Sequence, residues 1–310
     1  MKSLSRINFN NIKTVGIRVD FNIPVDEHFI ITDNTRLLRA RDTINFVKDQ
    51  NCKILLLSHF GRPKENYDEK FSFQTLIDQF SEVLDVNLNL LTYETFSKNG
   101  LSDFLNLNHQ ITLLENIRFF KGEIDNELTF SKLITDQLDL YINEAFSASH
   151  RSHSSVNRMP KNITSVPGFN FEKEVLAIKE IKNSTKKKLA IIGGSKVSTK
   201  INTLHSLTKS CANIFIGGAM ANNFLKFKGI PVGSSLLEEG SEKMIKQIYA
   251  SAQEKECEIH LPLDVVLDNQ DTSTIDKLSS LDNFKILDLS DESLKLLTSL
   301  IHKNELILWN

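Results

Sequence analysis

The feature that most narrows the folds open to this chain is a series of short apolar runs with no polar alternation. Thr14–Val19, Lys53–Leu57, Ile111–Leu114 and Leu138–Asn143 mark the first half. Lys188–Ile192, Asn213–Ile216, Glu258–Leu261, Phe284–Leu287 and Glu305–Trp309 mark the second. A strand wetted on one face alternates apolar and polar residues, whereas a continuous apolar run suits a strand covered on both faces. Amphipathic segments of helical period lie between the runs: Arg36–Gln50, Phe73–Leu84, Phe130–Gln137, Ser198–Ser210, Ser241–Glu256 and Asp291–His302. Short strands alternating with helices form βαβ units and parallel sheets.

With 310 residues, two domains are the default expectation, and each half can bury a full core without a disulfide or metal staple. The boundary is expected after Val166-Pro167-Gly168. Beyond it Phe171, Val175, Ile178 and Ile181 recur at helical spacing through Phe171–Asn183. The expected organisation is α/β: two doubly wound, Rossmann-like parallel-sheet domains over residues 1–167 and 188–310, joined by an interdomain helix and linker over 168–187. The basic run Lys186-Lys187-Lys188 reads as a solvated helix end, because lysines stay in water and favour helix C-termini.

Composition excludes several classes of function. Cys52, Cys211 and Cys257 are far apart and match no zinc spacing, which suggests reduced, packed thiols in a cytoplasmic protein. A net charge of −2 and a pI near 6.5 argue against a broad nucleic-acid surface, so any anion site must come from local clustering of cations. No apolar run approaches the ~20 residues that span a bilayer, and the N-terminus has no apolar signal region. The chain is expected to be neither secreted nor membrane-embedded.

In open α/β sheets, ligands bind outside the carboxyl ends of the strands. The residues that close each apolar run in the first half are therefore informative. Asp20-Phe21-Asn22 comes after the first, and Ser58-His59-Phe60-Gly61-Arg62-Pro63 after the second. Glu115-Asn116-Ile117-Arg118 comes after the third, and Asn143 through His153 close the fourth. A single Arg or His at such a place is usually a solvated group or a loop hydrogen-bonder. Four strand ends presenting His59, Arg62, Arg118, His150, Arg151 and His153 point instead to a basic pocket. Arginine suits phosphate and carboxylate because its planar fork pairs with two oxygens, and Asp20 and Asn22 can hydrogen-bond a hydroxyl. The pocket fits a small, multiply anionic, hydroxylated molecule.

In the second half, Leu189-Ala190-Ile191-Ile192 runs into Gly193-Gly194-Ser195-Lys196-Val197-Ser198-Thr199-Lys200 and then a helix. Glycines allow close backbone approach, and a helix start offers unpaired N–H groups. Lys196 and Lys200, four apart, would share a face in a helical turn and suit a polyphosphate. The run is neither GxxxxGK[ST] nor GxGxxG. Taken alone, a tight turn with solvated lysines and a phosphate site explain it equally well. A second pair, Gly217-Gly218, ends the next strand and raises the case for a nucleotide crevice.

These residues resemble the phosphoglycerate kinase family. The resemblance rests on Arg18-Val19-Asp20-Phe21-Asn22-Ile23-Pro24, Ile31–Arg36, Leu56–Pro63, Leu114–Phe119, Asn143–Ser154, Gly193–Lys200, Gly217–Ala221, Leu261–Val266 and Leu308-Trp309-Asn310, in order along the whole chain. It implies a phosphotransferase with a carboxyl acceptor that acts in glycolysis. The reaction is reversible transfer between 1,3-bisphosphoglycerate and ADP, giving 3-phosphoglycerate and ATP with Mg2+, in a cytoplasmic monomer. Carried over by motif, the substrate site is Asp20, Phe21, Asn22, Arg36, His59, Phe60, Gly61, Arg62, Arg118 and Arg151. The nucleotide side is Gly193, Gly194, Lys196, Lys200, Gly217, Gly218 and Asn310. Arg36, Lys196 and Lys200 are the catalytic cations, and the interdomain helix implies hinge closure. Glu144 stands where the family usually has Asp, Ser147 where it has Gly, and Ala219 where a third Gly is common.

The family continues past Trp-Asn with a Gly-Pro turn, and later with a glycine-rich loop whose Asp ligates the nucleotide-bound Mg2+. The expectation is therefore an incomplete nucleotide domain with its metal ligand beyond Asn310, which binds 3-phosphoglycerate but turns over little. The alternative is a non-catalytic phosphoglycerate-binding product.

Overall fold

The computed structural model describes residues 3–64, 67–106, 108–281 and 283–310. The chain divides into two compact units, Met1–Lys179 and Glu180–Asn310.

The first unit is built on β1 (Thr14–Arg18), β2 (Lys53–Leu57), β3 (Leu88–Leu91), β4 (Ile111–Leu114), β5 (Leu140–Asn143) and β6 (Ser165–Pro167). They form one sheet in the order β3-β4-β2-β1-β5-β6, and every pairing is parallel. The continuous apolar runs have the expected cause. Ile54 and Leu56 of β2 face one buried layer with Ile111 and Leu113, while Leu55 and Leu57 face another with Leu114 and Tyr141. From β1 the chain moves to β2 on one side, whereas β5 lies on the other. The carboxyl ends of β1 and β5 thus flank a topological switch point, where a crevice is left open for ligands.

The second unit contains β7 (Lys188–Ile192), β8 (Asn213–Ile216), β9 (Glu258–His260), β10 (Asp264–Leu267), β11 (Thr272–Thr274), β12 (Ile286–Leu289) and β13 (Leu306–Trp309). A four-stranded parallel sheet has the order β13-β7-β8-β9, with its switch point between β7 and β13. Ala190, Ile192, Ile214 and Ile216 face one core, while Leu189 and Phe215 pack with Leu300 of the helix Asp291–Lys303 on the other side.

The run at Phe284–Leu287 does not join the parallel sheet. Its strand is Ile286–Leu289, antiparallel to β10 in a separate sheet of order β11-β10-β12. Phe284 seeds a small core of its own with Val265, Leu267 and Leu278, which anchors the run there. Lys188 is another departure. It is buried in β7, and its ammonium donates to the Ser184 carbonyl at 2.7 Å, while Lys186 and Lys187 remain exposed.

The helix Phe169–Asn183 carries the chain from the first unit into the second. Its start is fixed within the first unit by Glu144, whose Oε1 accepts the Asn170 N–H at 2.9 Å. Glu144 Oε2 is buried with no hydrogen-bond partner among the described residues. A Cβ at Gly168 would fall 1.7 Å from that oxygen, so only glycine fits there. Burial pushes the Glu144 carboxyl up to about 7, with the Asn170 N–H opposing the shift. A carboxyl raised by folding favours the folded state while protonated, and that contribution is lost as pH rises through the folded value. Glu144→Gln is expected to match the wild type near pH 5 and to become the more stable of the two above about pH 7, by no more than about 3 kcal/mol. Urea unfolding at a series of pH values checks this, and a gap that does not change with pH would contradict it.

Candidate active site

At the first switch point, Asp20 follows β1 and Ser147 follows β5. The Ser147 hydroxyl donates to Asp20 Oδ2. Arg36, on the helix Thr35–Lys48, donates from Nη1 to the same carboxylate oxygen at 3.0 Å and to the Asn22 carbonyl at 2.9 Å. Among the described residues its Nε and Nη2 have no protein acceptor. Asn22 Oδ1 accepts the Gly61 N–H at 2.8 Å, which ties the loop after β1 to the loop after β2. Gly61 has φ +59°, and a Cβ there would meet the Phe71 ring at 2.3 Å. Both facts require glycine.

Beneath these loops a buried polar frame sets the backbone. Asn116 Oδ1 accepts the N–H groups of Phe60 and Arg118, each at 3.2 Å. Its Nδ2 donates to the carbonyls of Phe60 at 2.7 Å and Phe71 at 2.9 Å. The Glu115 carboxylate accepts from Ser72 Oγ and from the Phe73 and Asn116 N–H groups, all within 2.8 Å. Phe21 and Phe60 belong to this frame. Their rings lie in an aromatic cluster with Phe71, Phe73 and Phe80 at centroid separations of 5.3–6.3 Å. Phe21 is fully buried and can meet a ligand only through its backbone, whereas Phe60 also lines a cavity with Val25, Phe29 and Phe71.

Arg118 is buried and donates to the Gly61 carbonyl at 2.6 Å. Burial, followed by the charges of Arg151 and Arg18, lowers its guanidinium to about 10, which still leaves it cationic at neutral pH. His59 is held far below the usual histidine range by burial first and then by Arg18, Arg118, Arg151 and His153. His153 is lowered to about 4 by burial and by the same arginines. Arg62 is exposed and also acts on Arg118. Among the described residues, Arg62, Arg118 and Arg151 have no carboxylate within 4 Å. The structure therefore brings Arg62, Arg118, Arg151, His59 and His153 into one cation-rich neighbourhood, in which Glu123 lies 3.9 Å from His153 and acts on Arg118. His150 points elsewhere, with Nδ1 on the Ser147 carbonyl at 2.9 Å.

Arg18, Ser155 and Glu123 are among the polar residues of the site that carried no assigned role in the sequence. Arg18 is 2% exposed, and its guanidinium reaches His59 Nδ1 at 2.9 Å and Ser155 Oγ at 3.0 Å. The signal available was a charged residue closing an apolar run, since a cation does not stay buried without partners.

At the second switch point, Gly193 N–H donates to the Asn310 carbonyl at 2.9 Å, and Asn310 N–H donates to Ile191 at 3.0 Å. The Lys200 ammonium donates to Asn310 Oδ1. Gly218, at φ +61°, opens the helix Gly218–Phe227 and presses on the preceding glycine turn. A Cβ on it would lie 3.3 Å from the Gly194 backbone. The neighbouring Gly217 N–H bonds the Ile192 carbonyl at 2.9 Å. Lys196 and Lys200 do not share a helical face as the spacing suggests. The helix begins at Ile201, after a turn over residues 198–200 in which Glu238 accepts both the N–H and the hydroxyl of Ser198. Beside the glycines a slot is lined by Ala219, Leu225, Pro262, Val265 and Leu287. Among the described residues no group of three or more His, Cys, Asp or Glu gathers as a metal site.

A family model described as phosphoglycerate kinase matches residues 4–310. Among curated relatives, the phosphoglycerate kinase of Prochlorococcus marinus (strain MIT 9312) is 38% identical over 320 residues, covering 99% of this chain and 79% of the relative. That of Wolbachia pipientis wMel is 37% identical, covering 96% and 76%. Among solved structures, phosphoglycerate kinase from Coxiella burnetii superposes with a TM-score of 0.81 at 29% identity, over 100% of this chain and 79% of that one. The Pyrococcus horikoshii OT3 enzyme superposes with a TM-score of 0.82 at 25% identity, over 100% and 80%.

Asn116→Ala leaves the Phe60 N–H and two carbonyls without their buried partner. It is expected to destabilise the first unit by about 1–3 kcal/mol. Urea unfolding followed by circular dichroism checks this, and an unchanged midpoint would show that Asn116 does not hold the loops.

Proposed function

The chain belongs to the phosphoglycerate kinase family, and on that premise we propose that it moves a phosphoryl group reversibly between 1,3-bisphosphoglycerate and ADP, giving 3-phosphoglycerate and ATP. The observation that carries this reading is the cluster of Arg62, Arg118 and Arg151 around a neutral His59, none of the three arginines having a carboxylate within 4 Å among the described residues. Guanidinium forks there supply bidentate donors to phosphate oxygens, and Asp20 offers an acceptor to a substrate hydroxyl. Such a site rewards a ligand that brings negative charge and penalises one that does not.

In the second unit, Lys196 and Lys200 with the N–H groups at the glycine turns suit a phosphate chain. The start of the helix Gly218–Phe227 adds its dipole. The slot next to it, apolar apart from Asn222 and Asp288, suits the nucleoside. In the forward step a terminal oxygen of ADP attacks the acyl phosphate in line. The P–O bond to the carboxyl group breaks, and the departing oxygen becomes a carboxylate oxygen of 3-phosphoglycerate. The reaction calls for no nucleophile from the protein, only positioning and charge neutralisation. Arg36, with Nη1 braced by Asp20 and Asn22, keeps Nε and Nη2 for the transferring group, and Lys200 acts from the nucleotide side. Mg2+ would accompany the nucleotide, neutralising its phosphates. The described residues gather no carboxylate set to hold it, so no step here depends on a protein-bound metal. We read the chain as a cytoplasmic glycolytic protein.

If Arg36 stabilises mainly the transition state, Arg36→Ala should lower kcat well over tenfold while KM for 3-phosphoglycerate changes little. Steady-state kinetics in the ATP-consuming direction checks this. Equal losses in kcat and in affinity would place Arg36 in ground-state binding instead.

A further inference from the structure

Arg18 takes no part in the proposed transfer, yet it is buried and every nitrogen of its guanidinium has a partner. Its Nε donates to Ser155 Oγ at 3.0 Å, and Nη1 donates to the carbonyls of Val19 and, at 3.1 Å, Leu57. Nη2 lies 2.9 Å from His59 Nδ1. A guanidinium has donors only. Nδ1 must therefore be the acceptor, and the single proton of the neutral ring sits on Nε2. An imidazolium would set one N–H against another.

Behind Arg18 the donors line up in one direction. The Ser155 hydroxyl receives Arg18 Nε–H and passes its own hydrogen to Glu123 Oε1 at 2.6 Å, while Ser155 N–H donates to Glu123 Oε2 at 2.7 Å. Glu123 thus ends the chain that starts at Arg18, with both of its oxygens accepting. It is 1% exposed, so burial pushes its carboxyl up, and Arg18 and Ser155 oppose that shift. His59 Nε2 has no protein partner among the described residues and is not among the buried polar atoms left unsatisfied, so it is open to an incoming ligand.

We infer that Glu123, Ser155 and Arg18 are positioning residues that hold His59 as the neutral Nε2–H tautomer, so that it meets the anionic substrate as an uncharged hydrogen-bond donor. The inference rests on the substrate reading of this site and adds a consequence. A polyanion normally raises the pKa of a nearby histidine and draws a proton onto it. Here Arg18, Arg118, Arg151 and His153 face the ring from the surrounding strand ends and oppose that proton. Substrate binding is thereby uncoupled from proton uptake at His59.

The test is nitrogen-15 NMR of the chain with labelled imidazoles, with and without 3-phosphoglycerate, across the pH range in which free histidine titrates. The expected spectrum shows His59 protonated on Nε2 only, with no titration step in either state. An Nδ1–H tautomer or an imidazolium in the wild type would overturn the inference, and this holds even if no variant folds. In Arg18→Met and in the milder Ser155→Ala, His59 should regain a titration step, and 3-phosphoglycerate affinity should rise as pH falls. Ser155→Ala with the wild-type tautomer and flat pH dependence would remove Ser155 and Glu123 from the device. A locked His59 whose signal ignores 3-phosphoglycerate would count against the substrate reading and leave the lock standing.

Discussion

The first unit is organised around like charges held close together. Arg18, Arg62, Arg118 and Arg151 share one strand-end crevice, and burial together with the charges of Arg18, Arg118 and Arg151 lowers two histidines there. Such an arrangement persists only if the fold overdetermines it, and the buried frame does so. Glu115 and Asn116 pin three loops through backbone hydrogen bonds. Glu123 anchors the deepest cation through a serine rather than by direct contact. The inner arginine is committed to protein acceptors, while Arg62, Arg118 and Arg151 have no carboxylate within 4 Å among the described residues.

The switch-point topology explains why the cations meet. Loops leaving β1, β2, β4 and β5 emerge on one edge of a parallel sheet, so residues distant in sequence become neighbours without any local motif. The second unit repeats the arrangement with different chemistry. Its switch point brings Gly193, Lys200 and Asn310 together through hydrogen bonds. It carries backbone N–H groups and lysines in place of arginine forks, which suits a flexible phosphate chain better than a small rigid anion.

Much of this was legible in the sequence, for a definite reason. Strands buried on both faces leave continuous apolar runs, and residues at the ends of those runs are the ones brought to the ligand edge. What escaped was structure with a weaker imprint. Leu88–Leu91 contains an Asn and is short, and Ser165–Pro167 is a three-residue edge strand ending in a proline. The antiparallel sheet around Val265 depends on where Phe284 packs, which periodicity does not encode. Phe21 and Phe60 lie within site motifs but are buried in an aromatic cluster, since motif membership does not say which way a side chain points. Lys196 and Lys200 have helical spacing but precede the helix, in a segment where Glu238, forty residues beyond Ser198, accepts the Ser198 N–H. Arg18 was visible only as a cation closing an apolar run, and its partners Ser155 and Glu123 lie far along the chain.

The central claim is that the arginine cluster of the first unit selects a phosphorylated, carboxylated anion. Calorimetric titration of the chain with 3-phosphoglycerate at low and raised salt tests it most directly. Saturable binding at one site is expected, with affinity falling steeply as salt screens the cluster. Absence of binding at low salt, or an affinity indifferent to salt, would contradict it.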